Sequence, residues 1–352
     1  MVSPLTIGDR LVGPGHPCYV IAEAGVNHNG DLDLAHALID VAAGAGADAV
    51  KFQTFSTSRL VTRRAPKAQY QMADVADAET QYDMLARLEL SELDHVELRD
   101  HCADLRLEFL SSPFDARCAD MLHRLGVRAF KLPSGELTNL DLLRHVAYLG
   151  RPIILSTGMA DLEEVRAAVD VIRGVGNDQL ALLHCVSSYP TPVEACNLRA
   201  MATMAEAFDL PVGWSDHTEG TAVAVAAVAL GASIVEKHLT LDRDMPGPDH
   251  KASLEPDELA ELVRAVRAVE PALGDGVKRP RACEEDTAAV ARKSLVAARD
   301  LVAGEILDAD SVAVRRPGTG MPPWRLDTTL GRRVTTTVPA GTPLDEDMLE
   351  PS

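Results

Sequence analysis

Eight short apolar runs of β type alternate with Ala- and Leu-rich helical runs through about the first 270 residues. No other feature restricts the fold so strongly. The runs fall at 18–24, 49–54, 108–112, 129–133, 152–157, 180–186, 212–215 and 234–239. Between them, stretches such as 32–45, 92–105, 116–125, 161–173 and 221–229 carry apolar residues at three- and four-residue steps, the period of a helix. Asp161 followed by Glu164 resembles a capping box. Strand–helix alternation implies parallel strands with helices packed outside. Eight such units fit a (β/α)8 TIM barrel. An open doubly wound sheet is the runner-up, but no GxGxxG follows the first strand.

The pattern changes at 271–281. PALGDGVKRPR is rich in Gly, Pro and charge and reads as a linker. The expected division is a catalytic barrel over 1–272, a linker over 273–289 and a small domain over 290–352. The last part contains an echo. Ala303-Gly304-x-x-Leu307-Asp308-x-Asp310 recurs as Ala340-Gly341-x-x-Leu344-Asp345-x-Asp347. Two copies are too few for a solenoid, so a small pseudo-symmetric β domain is expected.

The net charge of −19 and the 4% aromatic content argue against nucleic acid and anionic membranes as partners. The longest apolar run, 221–235, is short for a membrane span and is broken by Gly231. The N-terminus shows no secretory pattern, and the six cysteines form no CxxC pair. Free thiols in a cytoplasmic protein are the expectation.

A barrel gathers its chemistry at the C-terminal strand ends. Polar residues cluster there in all eight runs. The first ends in Glu23 and Asn27-His28-Asn29-Gly30, and the second carries Lys51 and Gln53. The third ends in Ser111-Ser112-Pro113, and the fourth carries Lys131, Ser134 and Glu136. Then come Ser156-Thr157-Gly158; His184, Ser187, Ser188 and Tyr189; Ser215-Asp216-His217; and Glu236-Lys237-His238. Two strand lysines among serines suit an oxyanion or phosphate pocket, although snorkelled lysines and turn serines are the alternative. His217 and His238 end adjacent strands and can share one metal ion with open positions left over; hydrogen-bonded histidines are the bland alternative. Glu23 can act as a general base or pair with Lys51. Asp249 falls on the last βα loop, over the barrel mouth.

Several motifs, in order, resemble the sialic acid synthase family: IAEAGVNHNGDLDLAHALIDVAAGAGADAVKFQTF, SSPFD, KLPSGELTN, ILSTGM, LLHCVSSYPTP, GWSDHT, EKHLTLD and MPGPDHKASLEP. The tail from about residue 290 resembles that family's type III antifreeze-like (SAF) domain. The resemblance implies a (β/α)8 barrel joined to this small β-rich domain. It also implies condensation of phosphoenolpyruvate with an open-chain hexosamine-type aldehyde, such as N-acetylmannosamine, to a nine-carbon 2-keto acid. By resemblance, His217 and His238 bind a divalent metal, Mn2+ or Mg2+, and Glu23 lies near the attacked carbon. Lys51, Ser112, Lys131, Ser134, Ser156 and Ser215 map to phosphoenolpyruvate binding, and Ser187 stands where some members have Asn. Gln53, Glu136, Tyr189 and Asp249 map to sugar contacts. Arg316, with Arg315 beside it, maps to an arginine reaching a neighbouring subunit, which implies a domain-swapped homodimer. The stretch ARKSLVAA lacks the aromatic that some members place near the N-acetyl group.

GPDHKASLEP is closer to the N-acetylneuraminate and legionaminate branches than to the pseudaminate branch. A 2,4-diacetamido-trideoxy sugar or a specialised secondary-metabolite sugar is therefore a rival acceptor. Its C4, C5 and C6 recognition is expected in loops, especially 57–80. Two rivals lie further off. One is a Schiff-base aldolase using Lys51, Lys131 or Lys237. The other is an ice- or ligand-binding role for the small domain.

Overall fold

The computed structural model describes residues 2–66 and 80–351, which form two compact units, one ending at Gly274 and one beginning at Asp275. The first opens with a hairpin, β1 (Leu5–Ile7) and β2 (Arg10–Val12). Eight parallel strands follow: β3 (Tyr19–Gly25), β4 (Ala49–Thr54), β5 (Glu108–Pro113), β6 (Phe130–Leu132), β7 (Ile153–Ser156), β8 (Leu180–Cys185), β9 (Val212–Asp216) and β10 (Ile234–His238). Their order in the sheet is β5-β4-β3-β10-β9-β8-β7-β6, and the end strands β5 and β6 touch, so the sheet curls into a nearly closed TIM-like barrel.

The helices between them are α1 (Leu32–Ala45), the short α2 (Thr57–Leu60) and α3 (Gln81–Ala86), α4 (Glu92–Asp104), α5 (Ala116–Leu125), α6 (Leu140–Tyr148), α7 (Leu162–Gly174), α8 (Ala200–Phe208), α9 (Ala222–Ala229) and α10 (Pro256–Leu273). Asp161 caps α7 in a full capping box with Glu164, as its spacing predicts. Among the described residues no helix is long and apolar enough to cross a membrane.

Successive strand residues point to opposite faces, and this alternation sorts the side chains. On β3, Val20, Ala22 and Ala24 pack outward with Leu38 and Ile39 of α1 and Leu262 and Val266 of α10. Tyr19 and Ile21 point inward. With Ala49, Leu110, Ile154, Leu183 and Ile234 they meet Leu5, Ile7 and Val12 of the hairpin. Those inward residues lie toward the strand starts, so the hairpin plugs the N-terminal end and leaves the C-terminal end to the site. Below, Asp48 is buried between Arg10 and Arg267 and accepts the Val20 backbone N–H at 2.7 Å. The hairpin is a feature that the sequence reading does not anticipate. The linker reading begins at Pro271, whereas α10 continues through that proline to Leu273.

The second unit contains α11 (Glu285–Ala291), β11 (Ser294–Ala297), β12 (Val312–Arg315) and α12 (Leu326–Thr329), with β11 and β12 antiparallel. Its core is Leu295, Ala297, Leu301, Leu307, Val312, Met321, Val334, Val338, Leu344 and Leu349. The sequence echo is a structural pseudo-twofold. The Gly304 N–H bonds Val334 O at 2.7 Å, and the Gly341 N–H bonds Ala297 O at 2.8 Å. Leu307 reaches Arg332 O and Leu344 reaches Leu295 O in the same way. Each donor and each acceptor has its counterpart 37 residues away (304 to 341, 297 to 334). Leu301 and Val338, also so related, bond each other in both directions. Gly304 and Gly341 both have φ near +80 to +86°, where a side chain would be strained.

Candidate active site

A cavity of about 480 Å³ opens at the C-terminal strand ends, within the roughly 300–1,000 Å³ usual for small-molecule sites. Its floor is a buried charge cluster. Glu23, at the end of β3, places Oε2 2.6 Å from Lys51 Nζ on β4. Lys51 also donates to Ser112 Oγ of β5 at 3.2 Å. Lys131, on β6, donates to Ser156 Oγ of β7 at 2.7 Å. Between the lysines stands Glu236 of β10, 3.4 Å from Lys131 Nζ and 3.9 Å from Lys51 Nζ, accepting also from Ser215 Oγ of β9 at 3.1 Å.

Four charges, two of each sign, are thus taken out of water together, and each is affordable only beside the others. Burial, opposed by Lys51 and reinforced by Glu236, pushes the Glu23 carboxyl up to about 7. Burial pulls Lys51 down, but the Glu23 and Glu236 charges outweigh it and hold Lys51 above its ordinary value. The 2.6 Å contact is therefore an ammonium–carboxylate pair above neutrality, with the proton on Lys51. Burial leaves Lys131 below its usual value despite Glu236. For Glu236 burial is overcome by Lys131 and Lys51, and it stays ionised.

Gly158 lets two serine hydroxyls of the cavity lining, on Ser134 and Ser187, stand close to the backbone. A Cβ there would meet Ser187 Oγ at 2.4 Å and Ser134 Oγ at 2.9 Å. The Gly158 N–H donates to Ser134 Oγ at 2.9 Å. Across the mouth, the rings of His217, His238 and Tyr189 cluster, with the two imidazole centroids 5.4 Å apart and Tyr189 4.1 Å from His217. His217 Nδ1 bonds Val186 O at 2.9 Å, which fixes it as the protonated nitrogen and leaves Nε2 as an electron donor. Burial, with His217 and Lys51 nearby, drives His238 well down, so its imidazole is neutral. His238 Nδ1 has no hydrogen-bond partner and lies 3.9 Å from Asp249 Oδ2. Burial lifts Asp249 to about 6. Burial pulls His217 down, but its hydrogen bonds to Cys185 and Val186 outweigh that and hold it above its ordinary value, so His238 is the imidazole whose neutral form and unpartnered ring nitrogen suit a divalent cation. Among the described residues no group of three or more His, Cys, Asp or Glu is arranged to hold a metal.

Of the residues expected from the sequence, Glu23, Lys51, Gln53, Ser112, Lys131, Ser134, Ser156, Ser187, Tyr189, Ser215, His217, His238 and Asp249 all line this one cavity. Glu136 does not line it; its carboxylate accepts from Asn139 at 2.7 Å. Arg316 lies in the second unit, exposed, with Nε on Ala291 O at 3.0 Å. Part of the loop expected to read sugar substituents, 67–79, lies outside the described residues.

Several polar strand-end residues serve other ends. Lys237 faces away from the cavity and is sealed against Asp216 at 2.9 Å. His184 packs on Trp214 and bonds Cys196 O. Asn27 pins Leu239 O and Ser253. Glu236 is the residue that sequence reasoning leaves without a role. Strand alternation is the signal for it: with His238 facing in, Glu236 two residues earlier must face in as well.

A near-closed ring of parallel strands, with ionisable groups gathered at their C-terminal ends, defines a (β/α)8-barrel enzyme. Residues 38–278 match the NeuB family and residues 292–350 match the SAF domain. The chain is 47% identical to N,N'-diacetyllegionaminic acid synthase of Legionella pneumophila, over 96% of each chain. It is 37% identical to human N-acetylneuraminate-9-phosphate synthase, over 97% of this chain and 95% of that one. The crystal structure of an N-acetylneuraminic acid synthetase from Leptospira borgpetersenii in complex with citrate superposes with a TM-score of 0.73 at 34% identity, covering 82% of this chain and 95% of that one. The chain belongs to the NeuB family, and it is an enzyme.

Proposed function

We propose that the chain condenses phosphoenolpyruvate with an open-chain N-acyl amino-sugar aldehyde and water, giving a nine-carbon 2-keto-3-deoxy sugar acid and inorganic phosphate. The buried Glu23–Lys51–Glu236–Lys131 cluster with its serines carries this reading. Phosphoenolpyruvate presents a carboxylate and a phosphate a few ångströms apart, and the two lysines match them with two cations. Ser112 and Ser156 already bond those lysines, and Ser134, Ser187 and Ser215 add hydroxyls.

The electron pair of the C2–C3 double bond forms the new bond from C3 to the aldehyde carbon, whose oxygen gains a proton. C2 becomes electron-poor. Glu23 offsets that charge and takes a proton from the water that bonds to C2. The bond from C2 to the bridging oxygen then breaks, its electron pair leaves with phosphate, and the C2 hydroxyl gives its proton to that phosphate as the carbonyl forms; the other water proton, taken by Glu23, balances the one gained by the aldehyde oxygen. His217 and His238 would hold a Mn2+ or Mg2+ ion, whose contribution when bound is Lewis-acid polarisation. Tyr189, Gln53 and Asp249 surround the acceptor. Arg316 serves a neighbouring copy in the domain-swapped homodimer that belongs to the same reading.

The acceptor is N-acetylmannosamine or its 2,4-diacetamido-trideoxy relative. The 47% identity to a legionaminic acid synthase, against 37% to an N-acetylneuraminate-9-phosphate synthase, favours the second. The Schiff-base reading loses Lys237, which lies outside the cavity. The test is phosphate release from phosphoenolpyruvate with a panel of aldehyde sugars, with Mn2+ and with EDTA. Metal-dependent release with one acceptor is expected. Chelator-resistant turnover with borohydride inactivation would overturn the reading in favour of an imine mechanism.

A further inference from the structure

One cluster of ionisable side chains stands on helices, away from the strand ends. His36 and Asp40 lie four residues apart on α1, and Glu97 and His101 lie four residues apart on α4, so each pair shares a helix face. The two helices pack together, and the pairs cross between them. His36 Nε2 lies 3.0 Å from Glu97 Oε1, and His101 Nε2 lies 2.9 Å from Asp40 Oδ1. The inner ring nitrogens converge. His36 Nδ1 and His101 Nδ1 are 2.5 Å apart, with the ring centroids at 4.7 Å. The imidazoles are 23% and 24% exposed, against 60% and 63% for the carboxylates, so the rings are held in place yet open to a solute.

Hydrogen-bond accounting shows what this arrangement calls for. A carboxylate only accepts, so each Nε2 carries its proton outward. A neutral imidazole has one N–H, and both are then spent. Two Nδ1 lone pairs are left aimed at one point, where a proton or a cation relieves their repulsion. Imidazoles that bind metals follow the same plan, giving the far N–H to a carboxylate that fixes tautomer and tilt. Metal–nitrogen bonds of about 2.0–2.1 Å at a tetrahedral angle set the two nitrogens roughly 3.3 Å apart, so the rings need to part by less than about 1 Å. Asp40 and Glu97 face the outer nitrogens and therefore orient without ligating. The protein ligands number two, and water completes the shell. Imidazole suits zinc, copper and nickel, whereas magnesium and calcium prefer oxygen. The net charge of −19 draws cations to the surface. We propose that His36 and His101 form a metal site on the outside of the barrel, which takes a zinc-class divalent ion and clamps α1 to α4. The site is separate from His217 and His238 in the cavity and independent of the condensation reading.

The experiment titrates Zn2+ into the metal-free full chain carrying His217→Gln and His238→Gln, which takes the cavity pair out of the count. Calorimetry should show one saturable equivalent. Adding His36→Gln and His101→Gln should abolish it. Glu97→Ala should weaken it about 10- to 10²-fold, the usual loss when an orienting partner is removed. Hydrogen exchange along α1 and α4 should slow when Zn2+ binds, and Mg2+ should leave it unchanged. Binding that survives the loss of both helical histidines overturns the site, as does the absence of a saturable equivalent. Where the substitutions unfold the chain, the unsubstituted protein decides. Zn2+-dependent protection centred on α1 and α4 sustains the clamp, and its absence overturns it.

Discussion

The two units treat charge in opposite ways. The barrel buries Glu23, Lys51, Lys131 and Glu236, each 5% exposed or less, around a cavity. The buried polar residues described in the second unit are Ser294, Ser311 and Thr329, none of them charged. Its ion pairs, such as Arg325–Glu346 and Arg299–Glu305, stand at the surface. One unit therefore accepts desolvated charge where chemistry needs it, and the other, among its described residues, buries apolar and hydrogen-bonded neutral groups and no charge. Substitutions that neutralise charge should act on turnover in the first, and substitutions that remove volume should act on folding in the second.

The largest expected effect tests the barrel half of that contrast. Glu23→Gln should lower kcat about 10²- to 10⁴-fold, the usual worth of a general base, with phosphoenolpyruvate affinity by calorimetry little changed. The same residue sets a pH dependence. Its carboxyl is raised to about 7, so kcat should climb with pH through about 7 as the base form appears. Stability runs the other way. The protonated form favours the fold at low pH, and that contribution fades as pH rises from the unfolded value of about 4.5 through about 7. Glu23→Gln should flatten this part of a thermal melt measured against pH. Next comes the second unit. Leu344→Ala should cost about 2–5 kcal/mol, seen as lost hydrogen-exchange protection along β11 and β12. The smallest effect should follow Glu346→Gln, which removes exposed pairs worth about 1 kcal/mol or less in the same measurement.

The eight barrel strands were legible because buried parallel strands are nearly continuous apolar runs, and these runs of three to seven residues alternate regularly with helical stretches. The hairpin LTIGDRLV was not, since three-residue strands are too short to display alternation. Strand-end polarity located the site but did not divide its residues by face. Lys237 and Glu236 are neighbours in sequence, yet one is sealed against Asp216 and the other joins the two site lysines. The apolar side of the cavity was equally hidden, because Leu60, Met84 and Phe114 read as ordinary core until α2, α3 and the end of β5 bring them together.

The pseudo-twofold of the second unit has a consequence for how disturbances spread. Gly304 and Leu307 of one copy donate to acceptors in the other, Gly341 and Leu344 return the bonds, and Leu301 and Val338 clasp across the axis. Neither copy holds a finished structure to fall back on. Order there is borrowed rather than owned, so loosening one half withdraws the support of its twin, and the unit melts as a single woven piece.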